Sequence, residues 1–305
     1  MRGAPLVALA LAAAPAPAQT PPRFASEVAF VELDVAVTRD GRPLPGLTAA
    51  DFELKDAGVP QTVELVARGQ ARAQAILLLD TSQSVAGEKL RQLGTAGAAF
   101  LAGLRADDTA TLVAFSYQVR LLGEVGLAPA AAAPALDRLA ASGPTALVDA
   151  VSAALALADS RRGRPVLLVF SDGDDRVSWL SESHVIDAAR KTDVVVHAVG
   201  FTPPAPGARD RMLILPNQER RLGGSPGFLE RLTRATGGRL WFADAPEGLT
   251  AAFQSVLEDL RERYLLRYEP RGVAPGGWHP LEVRVRGSGA LVRCRPGYQA
   301  VPAPP

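Results

Sequence analysis

A short apolar run that stops on oxygen-bearing side chains constrains this chain more than any other stretch. Residues 76–79 are consecutively apolar, which is too short for a helix and typical of a strand buried on both faces. Asp80, Ser82 and Ser84 follow it at alternate positions. Ligands of open α/β sheets bind outside the carboxyl ends of the strands. We therefore predict that these three side chains form one half of a Mg²⁺ site.

The middle of the chain, residues 70–262, alternates strand-like and helix-like runs. This alternation predicts a doubly wound α/β unit, with a mostly parallel sheet and helices on both faces. The predicted strands are 75–80, 109–115, 166–171, 193–200 and 239–243, with an antiparallel edge strand within 117–124. The predicted helices are 87–104, 131–141, 146–159, 181–191, 225–235 and 247–262.

Two further loops of this unit complete the predicted metal site. Thr145 stands at the start of the helix 146–159, and Asp172 follows the apolar strand 166–171. Asp80 and Asp172 are then expected at the same edge of neighbouring strands, with Ser82, Ser84 and Thr145 around them. An all-oxygen set favours Mg²⁺ or Mn²⁺ and disfavours Zn²⁺ and softer metals.

The two ends of the chain read as β-structure. Apolar and polar residues alternate within 24–66, and again within 281–286 and 290–295, while 264–268 is also strand-like. We predict one β-sandwich made from residues 24–69 and 263–300, with the unit 70–262 inserted between them. Cys294 has no second cysteine to pair with and falls on the apolar face, so it is expected to be a buried, unreactive thiol.

Residues 1–18 are predicted to be a signal peptide. Arg2 precedes the apolar segment 6–14, and the small residues 16–18 form a cleavage site. The alternative is a disordered Ala/Pro tail. No segment is long enough to span a membrane, and the net charge of +1 argues against nucleic-acid binding. We therefore expect an exported protein, periplasmic or secreted.

The predicted metal ligands resemble the metal-ion-dependent adhesion site (MIDAS) of the von Willebrand factor A domain. That site has the pattern D-x-S-x-S, then Thr, then Asp, and the corresponding residues here are Asp80, Ser82, Ser84, Thr145 and Asp172. The resemblance implies that Ser82 and Ser84 bind the metal directly. It also implies that Thr145 joins when ligand is bound and that Asp172 acts mostly through water.

The chain also resembles, almost end to end, the exported bacterial VWFA-related proteins of the acidobacterial type. The similar stretches are V-E-L-D-V-A-V-T-R-D-G-R-P-L-P-G-L-T-A-A-D-F-E-L, S-D-G-D-D, A-T-G-G-R-L-W-F, E-R-Y-L-L-R-Y and R-P-G-Y-Q-A. One departure is Gln83-Ser84-Val85, where the group usually has Gly-Ser-Met. Because Gln83 is not a ligand position, this departure affects the flexibility of the loop more than metal binding. The resemblance supplies a fold and a site but no ligand.

The same side chains have a structural alternative. Ser82 or Ser84 could cap the helix that begins near Gly87, and Thr145 the helix after it, because hydroxyls are favoured at helix starts. Asp80 and Asp172 could bond only to loop amides. Asp149 is expected to stabilise the first turn of its helix, and Asp174 and Asp175 to lie in a solvated loop.

The loop 201–224 is long for an α/β connection and is expected on the metal's side of the sheet. Its candidate partner contacts are Arg209, Arg211, Met212, Arg220 and Arg221. The alternative is a mobile loop whose apolar middle packs on its own domain. Trp179 and Trp241 are expected to be packing residues. The histidines His184, His197 and His279 are assigned to a helix, a strand and a loop.

The ligand set suggests a role in binding. Two carboxylates and three hydroxyls do not saturate an octahedral dication, so a carboxylate from a partner protein or peptide can displace a bound water. We therefore expect a Mg²⁺-dependent adhesion or scaffold module and no catalysis, since no nucleophile elbow or phosphate-binding loop occurs. The alternatives are a structural subunit with a stabilising metal and a metal-dependent hydrolase.

Overall fold

Strands and helices alternate through the middle of the chain and give way to strands alone at both ends. The computed structural model describes residues 30–69, 71–159, 163–171, 175–200, 227–243, 248–287 and 289–300. The strands in these ranges are β1 Val31–Arg39, β2 Arg42–Pro43, β3 Phe52–Asp56, β4 Val59–Gln61, β5 Glu64–Arg68, β6 Ala73–Asp80, β7 Thr109–Phe115, β8 Val119–Leu121, β9 Arg164–Ser171, β10 Val195–Gly200, β11 Leu240–Phe242, β12 Tyr264–Tyr268, β13 Gly277–Val285, β14 Leu291–Arg293 and β15 Gly297–Ala300. The α-helices are α1 Glu88–Gly103, α2 Pro129–Ala132, α3 Leu147–Leu155, α4 Glu182–Arg190, α5 Phe228–Thr236 and α6 Leu249–Glu262, and the 3-10 helices are Ala49–Asp51, Gln83–Val85 and Ala133–Arg138.

The central sheet has the strand order β11-β10-β9-β6-β7-β8. Strand β6 pairs in parallel with β7 and β9, and β8 pairs antiparallel with β7 at the edge. Every residue of β6 is buried. Leu77 and Leu79 pack into the cluster that includes α1 and α6, whereas Ile76 and Leu78 pack into the cluster that includes α3, α4 and α5. Helices therefore cover both faces, which confirms the prediction of an α/β unit with a mostly parallel sheet.

Two antiparallel sheets are built from strands of both chain ends. One has the order β14-β1-β12-β5, with β2 beside β1, and the other has the order β15-β13-β3-β4. Alternate residues of these strands point into one shared hydrophobic cluster, which includes Leu33, Phe52, Tyr264 and Leu281. The rings of Phe52 and Tyr264, which lie in different sheets, meet edge to face with centroids 5.4 Å apart.

A buried charge network connects these sheets to the α/β unit. Arg263, which follows α6, is 1% exposed and pairs with Asp34 on β1. Its Nη1 donates to Asp259 on α6 over 2.9 Å, and its Nη2 donates to the carbonyl of Gly237 over 2.9 Å. Arg293 on β14 reaches Asp259 from the other side, with 2.5 Å between Nη2 and Oδ1. Each buried charge thus has an opposite partner, as burial in a low dielectric requires.

Three sequence predictions about local structure are wrong. The helix expected at 131–141 is instead the short α2 followed by the 3-10 helix Ala133–Arg138. Pro134 explains the difference, because proline lacks an amide hydrogen and its ring clashes with the carbonyl four residues earlier. His279 lies on strand β13, not in a loop, and Trp179 is 96% exposed, not packed.

The other strands and helices predicted for the α/β unit are present in the described residues with small shifts of boundary. Trp241 packs against the cluster of α1 and α6. Cys294 is only partly exposed and lies one residue beyond β14, and burial raises the pKa of its thiol to about 11. Thiolate is the reactive form of cysteine, so the raised pKa agrees with an unreactive thiol.

Candidate metal-binding site at the carboxyl edge of the sheet

The predicted site residues sit on loops that are tied together by backbone hydrogen bonds. Strand β6 ends at Asp80, and the loop after it runs beside the loops that follow β7 and precede α3. The bonds between these loops are Thr81 N to Phe115 O at 2.7 Å, Ser142 N to Thr81 O at 2.8 Å, Gln83 N to Gly143 O at 2.9 Å and Ala146 N to Ser116 O at 2.8 Å. The loop of Ser82 and the loop of Thr145 are therefore held in a fixed relation.

Asp80 lies at the centre of this edge and is fully buried. Its Oδ1 accepts a 2.8 Å hydrogen bond from the amide of Ser82, and its Oδ2 accepts a 2.7 Å hydrogen bond from the hydroxyl of Ser171. These two bonds reach different oxygens of the carboxylate and so orient the group.

The two serines present their hydroxyl oxygens to the same point. Ser82 is 1% exposed, and its Oγ lies 2.9 Å from the Oγ of Ser84. The ligand oxygens of Mg²⁺ lie about 2.1 Å from the metal in an octahedron, so neighbouring ligands are about 3 Å apart. The serine pair therefore has the spacing of two adjacent ligands.

Thr145 is 3% exposed. Its backbone carbonyl accepts hydrogen bonds from the amides of Arg176 and Val177, at 2.8 and 3.2 Å. The loop after β9 is thereby attached to the loop before α3. Asp172 lies between Ser171 and this attachment in the sequence, but outside the described residues.

Helix capping, the structural alternative for the hydroxyl residues, is not what they do. The N-cap residue of α1 is Gly87 and that of α3 is Ala146, and neither helix start has a side-chain cap from its own N-cap residue. Ser82 precedes the 3-10 helix Gln83–Val85 without capping it through its side chain. The amide of Leu147, in the first turn of α3, is instead bonded to Asp175 at 3.0 Å.

Two nearby carboxylates serve the loop that follows β9. Asp149 accepts hydrogen bonds from the amides of Trp179 and Leu180, at 3.0 and 2.9 Å. Asp175 accepts from Leu147 and from the hydroxyl of Ser178, at 3.0 and 2.9 Å. Asp149 was expected to act within its own helix, and Asp175 to be merely solvated. Asp149 does lie in the first turn of α3, and both carboxylates also fix the course of the segment 175–180.

Ser171, whose hydroxyl donates to Asp80, is a contact that sequence reasoning did not single out. Its position immediately before Asp172 at the end of a buried strand could have indicated it, because a polar residue ends an otherwise apolar run there. Asp174 and the predicted partner contacts Arg209, Arg211, Met212, Arg220 and Arg221 lie outside the described residues. Within the described ranges, no group of three or more His, Cys, Asp and Glu side chains is arranged to hold a metal. The ligands proposed below are instead three hydroxyls and two carboxylates, and the second carboxylate, Asp172, lies outside these ranges.

His197 is the buried titratable group nearest the middle of the sheet. Its Nδ1 accepts the amide hydrogen of Arg239 at 3.2 Å, and its Nε2 lies 3.5 Å from Asp259. Burial lowers the pKa of His197 to about 3, against the opposing effect of Asp259. It is therefore neutral at physiological pH and lies beside the charged groups Asp259, Arg263 and Arg293.

Comparison with known proteins gives a family match in the middle of the chain. The sequence model of the von Willebrand factor type A domain matches residues 75–174, the stretch that runs from β6 to the loop after β9. Domains of this type generally mediate metal-dependent protein interactions and are typically non-enzymatic. A search of curated protein sequences gave no significant match.

Solved structures support the same fold at low sequence identity. A von Willebrand factor type A protein from Catenulispora acidiphila is 13% identical, with a TM-score of 0.51 over 91% of this chain and 75% of its own. Proximal thread matrix protein 1 from the mussel byssus, described with a zinc-occupied MIDAS motif, is 15% identical, with a TM-score of 0.50. That match covers 69% of this chain and 50% of the mussel protein.

Among the described helices, none is both long and apolar enough to cross a bilayer.

Together, the family match and the similar structures support a von Willebrand factor type A-like α/β domain within this chain, with a MIDAS-type metal site as the property of that domain class.

Proposed function

We propose that this chain is an exported binding module that captures an acidic residue of a partner protein or peptide through Mg²⁺ or Mn²⁺. Asp80, Ser82, Ser84, Thr145 and Asp172 would hold the metal. The observation that carries the proposal lies at the end of β6, where the buried Asp80 carboxylate accepts the amide of Ser82 and the hydroxyl oxygens of Ser82 and Ser84 lie 2.9 Å apart. When bound, the ion supplies an electrophilic site for a carboxylate oxygen.

The donor set fits a hard dication. Oxygen ligands suit Mg²⁺ and Mn²⁺, and the serine pair needs only to rotate one hydroxyl hydrogen away for both oxygens to face a cation. Ser171 and the amide of Ser82 hold the Asp80 carboxylate from two sides, so little reordering is needed on loading. Zinc is the competing metal to test, because it is the one described for the mussel protein.

The charge of the site favours capture of an anion. Asp80 and Asp172 bring two formal negative charges, and the hydroxyls bring none. If Asp172 acts through water, only one carboxylate touches the metal directly. The site would then keep a net positive charge and an exchangeable water, and a partner carboxylate would complete the octahedron.

The chain ends would form a β-sandwich domain, residues 24–69 and 263–300, that carries the α/β domain 70–262 as an insertion. The single hydrophobic cluster shared by the two outer sheets supports this division. The network of Asp34, Asp259 and Arg263 would then be the joint between the two domains. The predicted signal peptide 1–18 would direct the protein to the periplasm or the exterior, and the basic loop 201–224 would add contacts to an acidic partner.

Calorimetry tests whether the protein binds a metal ion and whether Asp80 is needed for binding. Purified full-length protein is titrated with Mg²⁺, Mn²⁺ and Zn²⁺, and the same titrations are made on Asp80→Ala and on Asp137→Ala, an exposed carboxylate on the 3-10 helix Ala133–Arg138. We expect binding of one ion by the unmodified protein and by Asp137→Ala, and none by Asp80→Ala. Absence of binding by the unmodified protein would contradict the proposal.

Partner capture separates a binding site from a stabilising metal. Immobilised protein is exposed to the secreted or periplasmic fraction of its source with Mg²⁺ or with EDTA, and thermal unfolding is followed under both conditions. A binding module loses its captured partner in EDTA while its unfolding temperature moves little. If EDTA instead lowers the unfolding temperature strongly and captures are unchanged, the metal is structural.

A further inference from the structure

Large apolar side chains are exposed on segments that contact the loop carrying Thr145. Trp179 is 96% exposed, Tyr117 54%, Val177 42% and Leu180 39%. We call these four residues, two aromatic and two aliphatic, the aromatic rim. Single exposed apolar residues are common on protein surfaces, but a group of them next to a candidate site indicates an interaction surface.

The rim adjoins the candidate site through direct contacts. Val177 donates its amide to the carbonyl of Thr145 at 3.2 Å. On the other side, the ring of Tyr117 packs so close to Gly143 that a Cβ on that glycine would lie 2.4 Å from Cδ1 of the ring. Gly143 is two residues before Thr145 and accepts the amide of Gln83. Both parts of the rim are thus fixed to the loops that carry the predicted ligands.

The exposure of Trp179 is imposed by its backbone and does not reflect a loose loop. Asp149 accepts the amide hydrogens of both Trp179 and Leu180, at 3.0 and 2.9 Å. Ser178 accepts the amide of Asp149 at 3.1 Å and donates to Asp175 at 2.9 Å. The segment is therefore attached to α3 by several bonds, and these bonds hold the indole in solvent. A surface that is ordered before binding loses less entropy when a partner docks.

We propose that the aromatic rim contacts a large apolar side chain of the partner, placed about two to four residues from the carboxylate that the metal captures. This inference rests on the proposed function. Trp179 is two residues beyond Val177, so its Cα lies within about 12 Å of the Thr145 carbonyl oxygen, given at most about 3.6 Å per residue of extended chain. An extended partner covers that distance in two to four residues.

The partner is thus a peptide segment with an acidic residue and a nearby aromatic or aliphatic residue. The metal supplies charge complementarity for the acidic residue, and the rim supplies apolar area. Aromatic side chains dominate binding at such surfaces because they bury a large area in one contact. A partner with only polar neighbours would leave the rim in water and bind more weakly.

Two synthetic peptide pools test the inference. Both contain nine-residue, dye-labelled peptides with a central Glu in a Gly/Ser background. One pool has Phe, Trp or Leu two to four positions from the Glu, and the other has Ser, Thr or Asn there. Fluorescence anisotropy is measured with the full-length chain in Mg²⁺ and in EDTA. Trp179→Ala removes the central rim residue, Trp179→Phe keeps an aromatic ring, and Trp278→Ala removes a 43% exposed tryptophan on β13 as the matched control.

We expect the apolar pool to bind at least about tenfold more tightly than the polar pool, the effect of burying one large apolar side chain. Trp179→Ala should bring this ratio close to one without changing the affinity for the polar pool, and Trp179→Phe and Trp278→Ala should keep most of it. Because Trp179 is exposed, Trp179→Ala should unfold at the same temperature as the unmodified protein. Should it not, Val177→Ser serves as a second rim variant with the same expected loss.

Equal binding of the two pools in Mg²⁺ would overturn this inference alone, as would a ratio that survives in Trp179→Ala and Val177→Ser. Binding of neither pool by the unmodified protein, or binding that survives EDTA and Asp80→Ala, would overturn the proposed function and the inference with it.

Discussion

The hydroxyl of Ser171 donates a 2.7 Å hydrogen bond to Oδ2 of Asp80, across the neighbouring parallel strands β9 and β6. Both residues are fully buried and both end their strands. The bond helps to fix the rotation of the carboxylate. Ser171 thereby positions a predicted metal ligand without being one itself.

Removal of that hydroxyl should weaken metal binding while leaving the fold intact. Partners that hydrogen-bond to metal ligands typically contribute a factor of about 10 to 100 to affinity. We expect Ser171→Ala to raise the Kd for Mg²⁺ by about tenfold or more in calorimetry. Ser183→Ala, at an exposed serine on α4, is the control. An unchanged Kd for Ser171→Ala would show that Asp80 is oriented by other contacts.

The sequence predicted the elements whose pattern is local. The bounds of β7, Thr109–Phe115, and of β12, Tyr264–Tyr268, agree with the predicted strands to the residue, because both are short runs of apolar, β-branched and aromatic residues with few polar interruptions. The helix predicted at 131–141 is wrong because Pro134 lacks an amide hydrogen and interrupts the α-helix, although the surrounding residues follow an apolar helical pattern. The metal-ligand assignment stays a prediction, since Asp172 lies outside the described residues.

Other features depend on contacts between distant residues and leave no local pattern. Trp179 is held in solvent by a carboxylate 30 positions away in the sequence. His279 lies in β13 because its Nδ1 and the hydroxyls of Tyr268 and Tyr298 converge on Asp56, each at 2.8 Å. Periodicity cannot predict such pairs, and packing tendencies assigned Trp179 wrongly to a core.

The loop before Thr145 depends on a glycine. Gly143 has φ of +69°, and a Cβ there would lie 2.4 Å from the Tyr117 ring. We expect Gly143→Ala to lower the free energy of unfolding and to weaken Mg²⁺ binding, because both the loop and the ring must shift. Gly46→Ala separates the two causes, since Gly46 has φ of +83° with nothing within 4 Å of its added Cβ.

A left-handed residue with a side chain costs about 1–2 kcal/mol, so Gly46→Ala should show that loss alone and normal metal affinity. Gly143→Ala should lose about 1 kcal/mol more in urea unfolding, the lower end of the cost of overpacking. Equal losses and equal metal affinity in the two variants would mean that the Tyr117 ring moves aside freely.

Arg263 should be among the residues to which stability is most sensitive. It is 1% exposed and neutralises both Asp34 and Asp259. Removing one member of a buried ion pair typically costs about 3–5 kcal/mol; here Asp34 would keep only Arg164 and Asp259 only Arg293, so two buried carboxylates would each lose one of two arginine partners. We expect Arg263→Ala to lose about that much in urea unfolding, and Arg263→Lys to lose less because it keeps the charge. A loss below about 1 kcal/mol for Arg263→Ala would show that water reaches the network.

His197 should make the protein acid-sensitive. Its pKa is lowered by burial to about 3 in the folded protein, with Arg263 and Arg293 adding to the effect and Asp259 opposing it, whereas an unfolded histidine has a pKa of about 6.5. Between these values the unfolded state binds a proton that the folded state does not, so stability is present above pH 6.5 and falls as the pH decreases. From pH 6.5 to 4.5 the loss from this residue is about 2 kcal/mol. His197→Asn, whose amide oxygen can accept the amide of Arg239 in place of Nδ1, should be less sensitive by that amount in urea unfolding at the two pH values. His184→Asn, at an exposed position on α4, should behave like the unmodified protein, and an unaltered pH dependence in His197→Asn would show that His197 is protonated in the folded state.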